Sequence, residues 1–181
     1  MFGAFHVTYS PNAAFKPINI AVLTVSDTRT EENDTSGQVL CERIKAAGHQ
    51  VAAKHIAPDN IYVLRAIVSQ WIADPEIHAV ITTGGTGLTG RDVTPEALKV
   101  LYDKEIEGFG ELFRQISYNL IKTSSLQSRA IAGLANGTVL FSLPGSPGAC
   151  KDGWDHIIVH QLDSRHKPCN LVELMPRFLE V

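Results

Sequence analysis

The sequence has no surplus of positive charge. Its 16 Lys and Arg stand against 19 Asp and Glu, for a formal net charge of −3 and an isoelectric point of about 6.1. That balance argues against general electrostatic binding to nucleic acid or to an acidic membrane surface, so an anionic ligand must be held by local geometry. Cysteine is scarce: Cys41, Cys150 and Cys169 are an odd number without CxxC spacing, which points to free thiols in a reducing compartment and makes the cytoplasm the expected location. Residues 1–10 carry neither a basic segment nor a long apolar run, so a signal peptide and a membrane span are not expected there. There is no internal repeat and no low-complexity segment.

What is present suits one globular unit. At 181 residues and 44% hydrophobic, the chain can bury a full core. Residues 1–17 intersperse Phe2, Phe5, Tyr9 and Phe15 with Gly, Ser, Pro and Asn and follow neither secondary-structure period. They read as an arm, either frayed or packed on a neighbouring subunit. Residues 18–25 form a nearly continuous apolar run, the pattern of a strand covered on both faces. A helix follows, beginning near Asp34 or Thr35, with Leu40, Ile44 and Ala47 on one face and Gly48 as its stop. A short strand at 51–56 precedes a second helix, opened at Pro58-Asp59-Asn60, with Leu64, Ile67, Val68, Trp71 and Ile72 on its apolar face. Strands alternating with helices in this way imply right-handed crossovers and a three-layer α/β/α fold with a mostly parallel sheet. Ligands of such sheets sit at the carboxyl ends of the strands.

The most informative stretch is AVITTGGTGLTGRDVTPEALKV, residues 79–100. A β-branched strand leads into Gly84, Gly85, Gly87 and Gly90, then Arg91-Asp92, then a helix start read as Thr94 at the N-cap and Pro95 in the first turn. Glycines let backbone N–H groups approach an anion, and a helix N-terminus attracts one. Gly84, Gly85, Thr86, Gly87 and Thr94 are therefore the phosphate-binding candidates. The glycines match G-x-G-x-x-G formally, but the helix starts too late and follows the third strand rather than the first, which speaks against a dinucleotide site. No Gly-Lys-Ser/Thr follows, which excludes the kinase-type P-loop. Asp92 is either a hard oxygen ligand for Mg²⁺ between phosphates or a brace of the loop.

Further along, Gly108-Phe109-Gly110 reads as punctuation before helical spacing at Leu112, Phe113, Ile116 and Leu120. Asn136-Gly137 between apolar runs signals a hairpin of antiparallel strands near 129–134 and 138–143, which makes the sheet mixed. Leu143-Pro144-Gly145-Ser146-Pro147 then repeats the strand, glycine, cap and proline logic, and leads to a helix carrying Cys150, Trp154, Ile157, Ile158 and Leu162 on one face. His156 and His160 have helical metal spacing but no third ligand, and read as solvated or interfacial. Residues 166–181 form a tail without a structural assignment.

TTGGTGLTGRDVTPEA closely resembles the hallmark of the MoaB/Mog molybdopterin-binding family, which is related to the gephyrin G domain. TVSDTR, APDN, GFGE, LQSRAIAG and LPGSPGA follow the family's order over roughly residues 18–165, and QLDSRHKPCN is similar to its MoaB branch. The resemblance implies adenylylation of molybdopterin: ATP and molybdopterin give adenylyl-molybdopterin and pyrophosphate, with Mg²⁺. It implies Asp59 and Asp92 as the catalytic pair, although Asp59-Asn60 also reads as an ordinary cap. It further implies molybdopterin-side positions at Ser26, Asp27, Ser117, Ser128, Arg129, Pro144, Gly145 and Ser146. Arg129 is expected either on a terminal phosphate or in an exposed ion pair, and Ser146 as cap and phosphate ligand together. The nucleotide phosphates and Mg²⁺ are assigned to the Gly84–Asp92 loop. Other pathway enzymes as partners, and a homo-oligomer built as a trimer or a dimer of trimers, are further implications. The competing reading is a non-catalytic molybdopterin carrier with the same pocket.

Overall fold

The computed structural model describes residues 8–10 and 12–180. A two-residue strand, β1 (Thr8–Tyr9), precedes the first apolar run, which forms β2 (Asn19–Val25). Helix α1 (Thr35–Ala46) opens where the Asp34 carboxylate accepts the Gly37 N–H at 2.9 Å, and stops before Gly48 at φ 91°. After β3 (Gln50–Ala57) comes α2 (Ile61–Ala73), whose first turn is capped by the Asn60 side chain. Asn60 thus does the capping and leaves the neighbouring Asp59 carboxylate out of it. Next are β4 (Ala79–Thr83), a short α3 (Thr94–Leu98) that tightens into a 3₁₀ turn, and an edge strand β5 (Lys104–Glu105). Helix α4 (Glu107–Ile121) leads to the hairpin β6 (Ile131–Ala135) and β7 (Thr138–Leu143). Asn136 at φ 46° and Gly137 at φ 83° make the two-residue turn, as their sequence predicts.

Helix α5 (Pro147–Gly153) runs without a break through a π-helical turn (Trp154–Ile158) into α6 (Val159–Gln161). The five residues expected on its inner face, Cys150, Trp154, Ile157, Ile158 and Leu162, are all buried. The chain ends with β8 (His166–Lys167) and α7 (Leu171–Leu174).

The main sheet has the order β3-β2-β4-β7-β6-β5; its first four strands are parallel and the last two pairings antiparallel. Alternation along each strand feeds two cores. Ile20, Val22, Ile81 and Phe141 meet α1, α4 and α5 on one face, whereas Ala21, Leu23, Val80 and Leu140 meet α2 and α3 on the other. The result is the three-layer α/β/α arrangement with a mixed, mostly parallel sheet. Among the described residues no helix is long and apolar enough to cross a membrane.

Three expectations change. Gly108-Phe109-Gly110 does not interrupt the chain but lies in the first turns of α4, with Phe109, Gly110, Phe113 and Ser117 inward and Leu112 and Leu120 exposed. Thr94 is not a cap: Val93 occupies that place without a side-chain bond, and α3 has only 5 residues, too short to act as a developed dipole. The arm and tail pair with each other, Thr8 with Lys167 and Tyr9 with His166. The arm's Phe2 and Phe5 lie outside the described residues.

Candidate functional site

Adjacent parallel strands in register bring their loops out side by side. Thr24 of β2 pairs with Thr83 of β4, and Thr83 with Leu143 of β7, so residues 26–34, 84–93 and 144–146 emerge at one edge of the sheet. The two glycine junctions touch through their backbones. The Gly84 N–H donates to the Leu143 carbonyl at 3.0 Å, and a Cβ on Gly145 would lie 3.2 Å from the Gly84 Cα. Gly84 itself sits at φ 105°, where a Cβ would lie 2.2 Å from the Val25 carbonyl oxygen, so only glycine fits this crossing.

Buried hydroxyls lock the junctions from behind. Thr94 donates its Oγ1 to the Gly84 carbonyl at 2.8 Å and its N–H to the Gly85 carbonyl at 2.9 Å. It is fully buried, so it braces the loop and offers nothing to a ligand. Thr83 donates to the Pro144 carbonyl at 3.0 Å and Ser36 to the Gly145 carbonyl at 2.8 Å. At Ser146 the hydroxyl accepts the Ala149 N–H at 3.1 Å, which is the expected cap. Behind it, Cys150 is a core thiol, its pKa pushed up to about 11 chiefly by burial.

Between the junctions lies a cavity of about 700 Å³. Ser26, Gly84, Gly85, Thr86, Gly87 and Asp92 line it, as do Ser117, Ser128, Pro144, Gly145 and Ser146. The remaining four sequence-designated residues do not line it. Arg129 lies behind the glycine loop, on the lining of a neighbouring groove of about 890 Å³. Its Nε donates to the Gly87 carbonyl at 2.8 Å, a second nitrogen to the Asp92 carbonyl at 3.0 Å, and the third pairs with Glu96. Of the two expectations for Arg129, the ion pair is the one seen, and the rest of the guanidinium is occupied with the loop's own carbonyls.

Asp27 and Asp59 sit beside the Gly85 turn, close enough that a Cβ on Gly85 would meet the Asp59 carboxylate at 2.8 Å. Asp27 accepts the Asp59 N–H at 3.3 Å and pairs with Arg91. Burial raises the Asp59 pKa, and the negative charges of Asp27 and Asp92 raise it further against the opposing Arg91. Asp92 moves the other way. Thr89 donates both its hydroxyl (2.6 Å) and its N–H (2.9 Å) to one Asp92 oxygen, and these bonds, with the Gly87 amide and Arg129 nearby, hold the carboxyl below its usual range. Among the described residues no group of three His, Cys, Asp or Glu is arranged to hold a metal by itself. A divalent ion here would draw on one or two carboxylates and take its other ligands from phosphate and water, the habit of Mg²⁺.

Several lining residues carry no motif signal that singles them out. Phe113 and Ile121 reach the cavity from α4, Gln127 from the following turn and Asp152 from α5. Ser36 does so from the first turn of α1 and Arg29 from the loop after β2, and for Arg29 a sequence signal existed: it follows a strand's carboxyl end as closely as the glycines do.

Comparison with known proteins agrees with this fold. A family described as "Probable molybdopterin binding domain" matches residues 21–164. The chain is 54% identical over 156 residues to molybdenum cofactor biosynthesis protein B of Escherichia coli (strain K12), covering 86% of this chain and 92% of that protein. A crystal structure of a molybdenum cofactor biosynthesis protein B superposes with a TM-score of 0.81 at 46% identity, covering 83% of this chain and 94% of the other. The tungsten cofactor synthesizing protein MoaB from Pyrococcus furiosus gives a TM-score of 0.72 at 38% identity, covering 80% and 92%.

Proposed function

Since the chain belongs to the molybdopterin-binding domain family, we propose that it acts in molybdenum cofactor biosynthesis by transferring the adenylyl group of ATP to molybdopterin. In that reaction an oxygen of the pterin's phosphate monoester attacks the α-phosphorus of ATP, a P–O–P bond forms, and pyrophosphate leaves with the electron pair of the broken bond. Two polyanions must be held within bonding distance, so catalysis consists mainly of positioning and neutralisation. The observation that carries the reading is the backbone contact of the Gly84 and Gly145 junctions inside one cavity. It supplies two anion-binding turns at a fixed short separation.

The Gly84–Asp92 loop takes the nucleotide phosphates, and Ser146 with its turn takes the pterin phosphate. Asp92 presents the oxygen that Thr89 leaves unused. Asp59 shares a surplus of negative charge with Asp27 and Asp92, a setting in which hard carboxylate oxygens suit Mg²⁺. When bound, the ion neutralises phosphate charge. The three free cysteines fit a reducing compartment, and the cytoplasm is the location we propose. A homo-oligomer of trimeric symmetry and association with other enzymes of the pathway complete the proposal.

The test is pyrophosphate release by the purified protein given ATP, Mg²⁺ and molybdopterin. Release at a rate that depends on all three supports the transferase. Protein that binds molybdopterin but releases no pyrophosphate is a carrier; the commitment of Arg129 to the loop rather than to the cavity is the feature that favours this second reading.

A further inference from the structure

The cavity is short of positive charge for a site that must hold two anions. Of its lining residues Arg29 alone is an arginine or lysine, set against Asp34, Asp92 and Asp152. Asp34 is buried and paired with Lys54 at 3.2 Å, which leaves two carboxylates facing the ligand space and one cation. Arg91 and Arg129 are occupied with Asp27 and Glu96.

Arg29 is held by its own loop. The Ser26 hydroxyl accepts the N–H groups of both Thr28 and Arg29 at 3.2 Å, which fixes the turn after β2. One guanidinium nitrogen donates to the Asn33 carbonyl at 2.8 Å, and Asn33 in turn accepts the Thr30 N–H at 2.9 Å. Among the described residues no carboxylate pairs with Arg29. Its remaining N–H groups form a planar fork, the shape that binds phosphate oxygens two at a time. A cation oriented by a tied-down loop, left without a counter-ion and facing a cavity, is arranged for a ligand.

The two anions differ in what they bring. A nucleoside triphosphate arrives with its divalent ion, for which Asp92 lines the cavity and Asp59 stands beside the Gly85 turn. A phosphate monoester brings no metal and must find its cation in the protein.

We propose that Arg29 is the residue that reads the phosphate monoester of the pterin substrate, as its fixed cation in the cavity. The proposal rests on the molybdopterin reading above.

The experiment measures binding of molybdopterin and of its dephosphorylated form to the full-length wild-type protein, to Arg29→Gln and to Arg29→Lys, with ATP affinity and a melting curve for each. Wild type should prefer the phosphorylated pterin by about tenfold or more. Arg29→Gln should lose that preference with ATP affinity and melting unchanged, and Arg29→Lys should retain part of it, keeping the charge without the fork. Full preference in Arg29→Gln overturns the role of Arg29 and leaves the function standing, as does a variant that loses ATP instead. Wild type that binds neither pterin overturns the functional reading and this proposal together.

Discussion

Thr89 gives two hydrogen bonds to one oxygen of Asp92, so the carboxylate is aimed and ionised before any ligand arrives. Asp92→Ala should therefore cut pyrophosphate release to below about one hundredth of wild type while leaving pterin affinity within about twofold, since no pterin phosphate is assigned to it. Normal turnover in that variant would remove Asp92 from the mechanism. His49 offers a pH test away from the site. It is buried, accepts the Ile18 N–H at Nδ1 (3.2 Å), and keeps an Nε2 without a hydrogen-bond partner. Burial lowers its pKa from the ordinary 6.5, against a weaker opposing effect of Asp163. The unfolded chain takes up the proton near 6.5 and the folded chain resists it, so stability is full above that pH and declines as pH falls through it toward the lowered folded value. Urea midpoints at several pH values should show this slope, and His49→Leu should flatten it. A smaller slope should remain from His160, whose pKa is lowered chiefly by burial and also by His166 and His156.

At the scale of elements, what sequence revealed depended on whether a segment's reason for its shape is local. β2, β4 and β7 were readable because strands covered on both faces are apolar or β-branched at nearly every position, and the β6–β7 turn because Asn136-Gly137 needs positive φ twice. The start of α4 was not readable, because the reason for Gly110 is tertiary: a Cβ there would lie 2.6 Å from the Ala130 carbonyl oxygen, so glycine lets the helix approach the chain entering β6. Gly108, two residues earlier, faces open space. The two glycines should consequently respond in opposite directions. Gly110→Ala should destabilise by about 1–3 kcal/mol through overpacking, and Gly108→Ala should stabilise by up to about 1 kcal/mol through helix propensity. Thermal denaturation of both variants measures this. The misreading of Thr94 has the same origin, since its hydroxyl serves Gly84, ten residues back, rather than its own helix.

Over the whole molecule, the arm and tail form a clasp that neither terminal sequence announces. Beyond the β1–β8 pairing, the Arg165 guanidinium lies over both the Tyr9 and Phe15 rings, at 5.8 and 5.0 Å from their centroids. The Ser164 hydroxyl accepts the Lys16 N–H and donates to the Ala14 carbonyl, each at 2.9 Å, and Phe15 packs on His49. Each half is a few residues long and stable only against the other, so periodicity has nothing to register. Deleting residues 1–14 should lower the melting temperature by several degrees and leave pterin affinity intact, because the described residues of the clasp do not line the cavity. Assembly is testable at the same scale. Exposed apolar side chains gather on α4 and the turn after it, at Leu112, Leu120, Ile121 and Leu126, as an interface between copies requires. Light scattering should report a trimer or a hexamer, and a monomer would overturn that expectation.

The backbone contact between Gly84 and Gly145 has a further consequence for how such a protein can change. The gap between the two turns is set by main-chain atoms in register on neighbouring strands and by the hydroxyls of Ser36, Thr83 and Thr94 that hold them, so it acts as a gauge that side chains elsewhere in the cavity do not adjust. Substitutions among Arg29, Phe113, Gln127 or Asp152 can retune which molecules enter while the distance separating them once inside stays the same. Ligand choice and reaction distance are therefore free to drift independently.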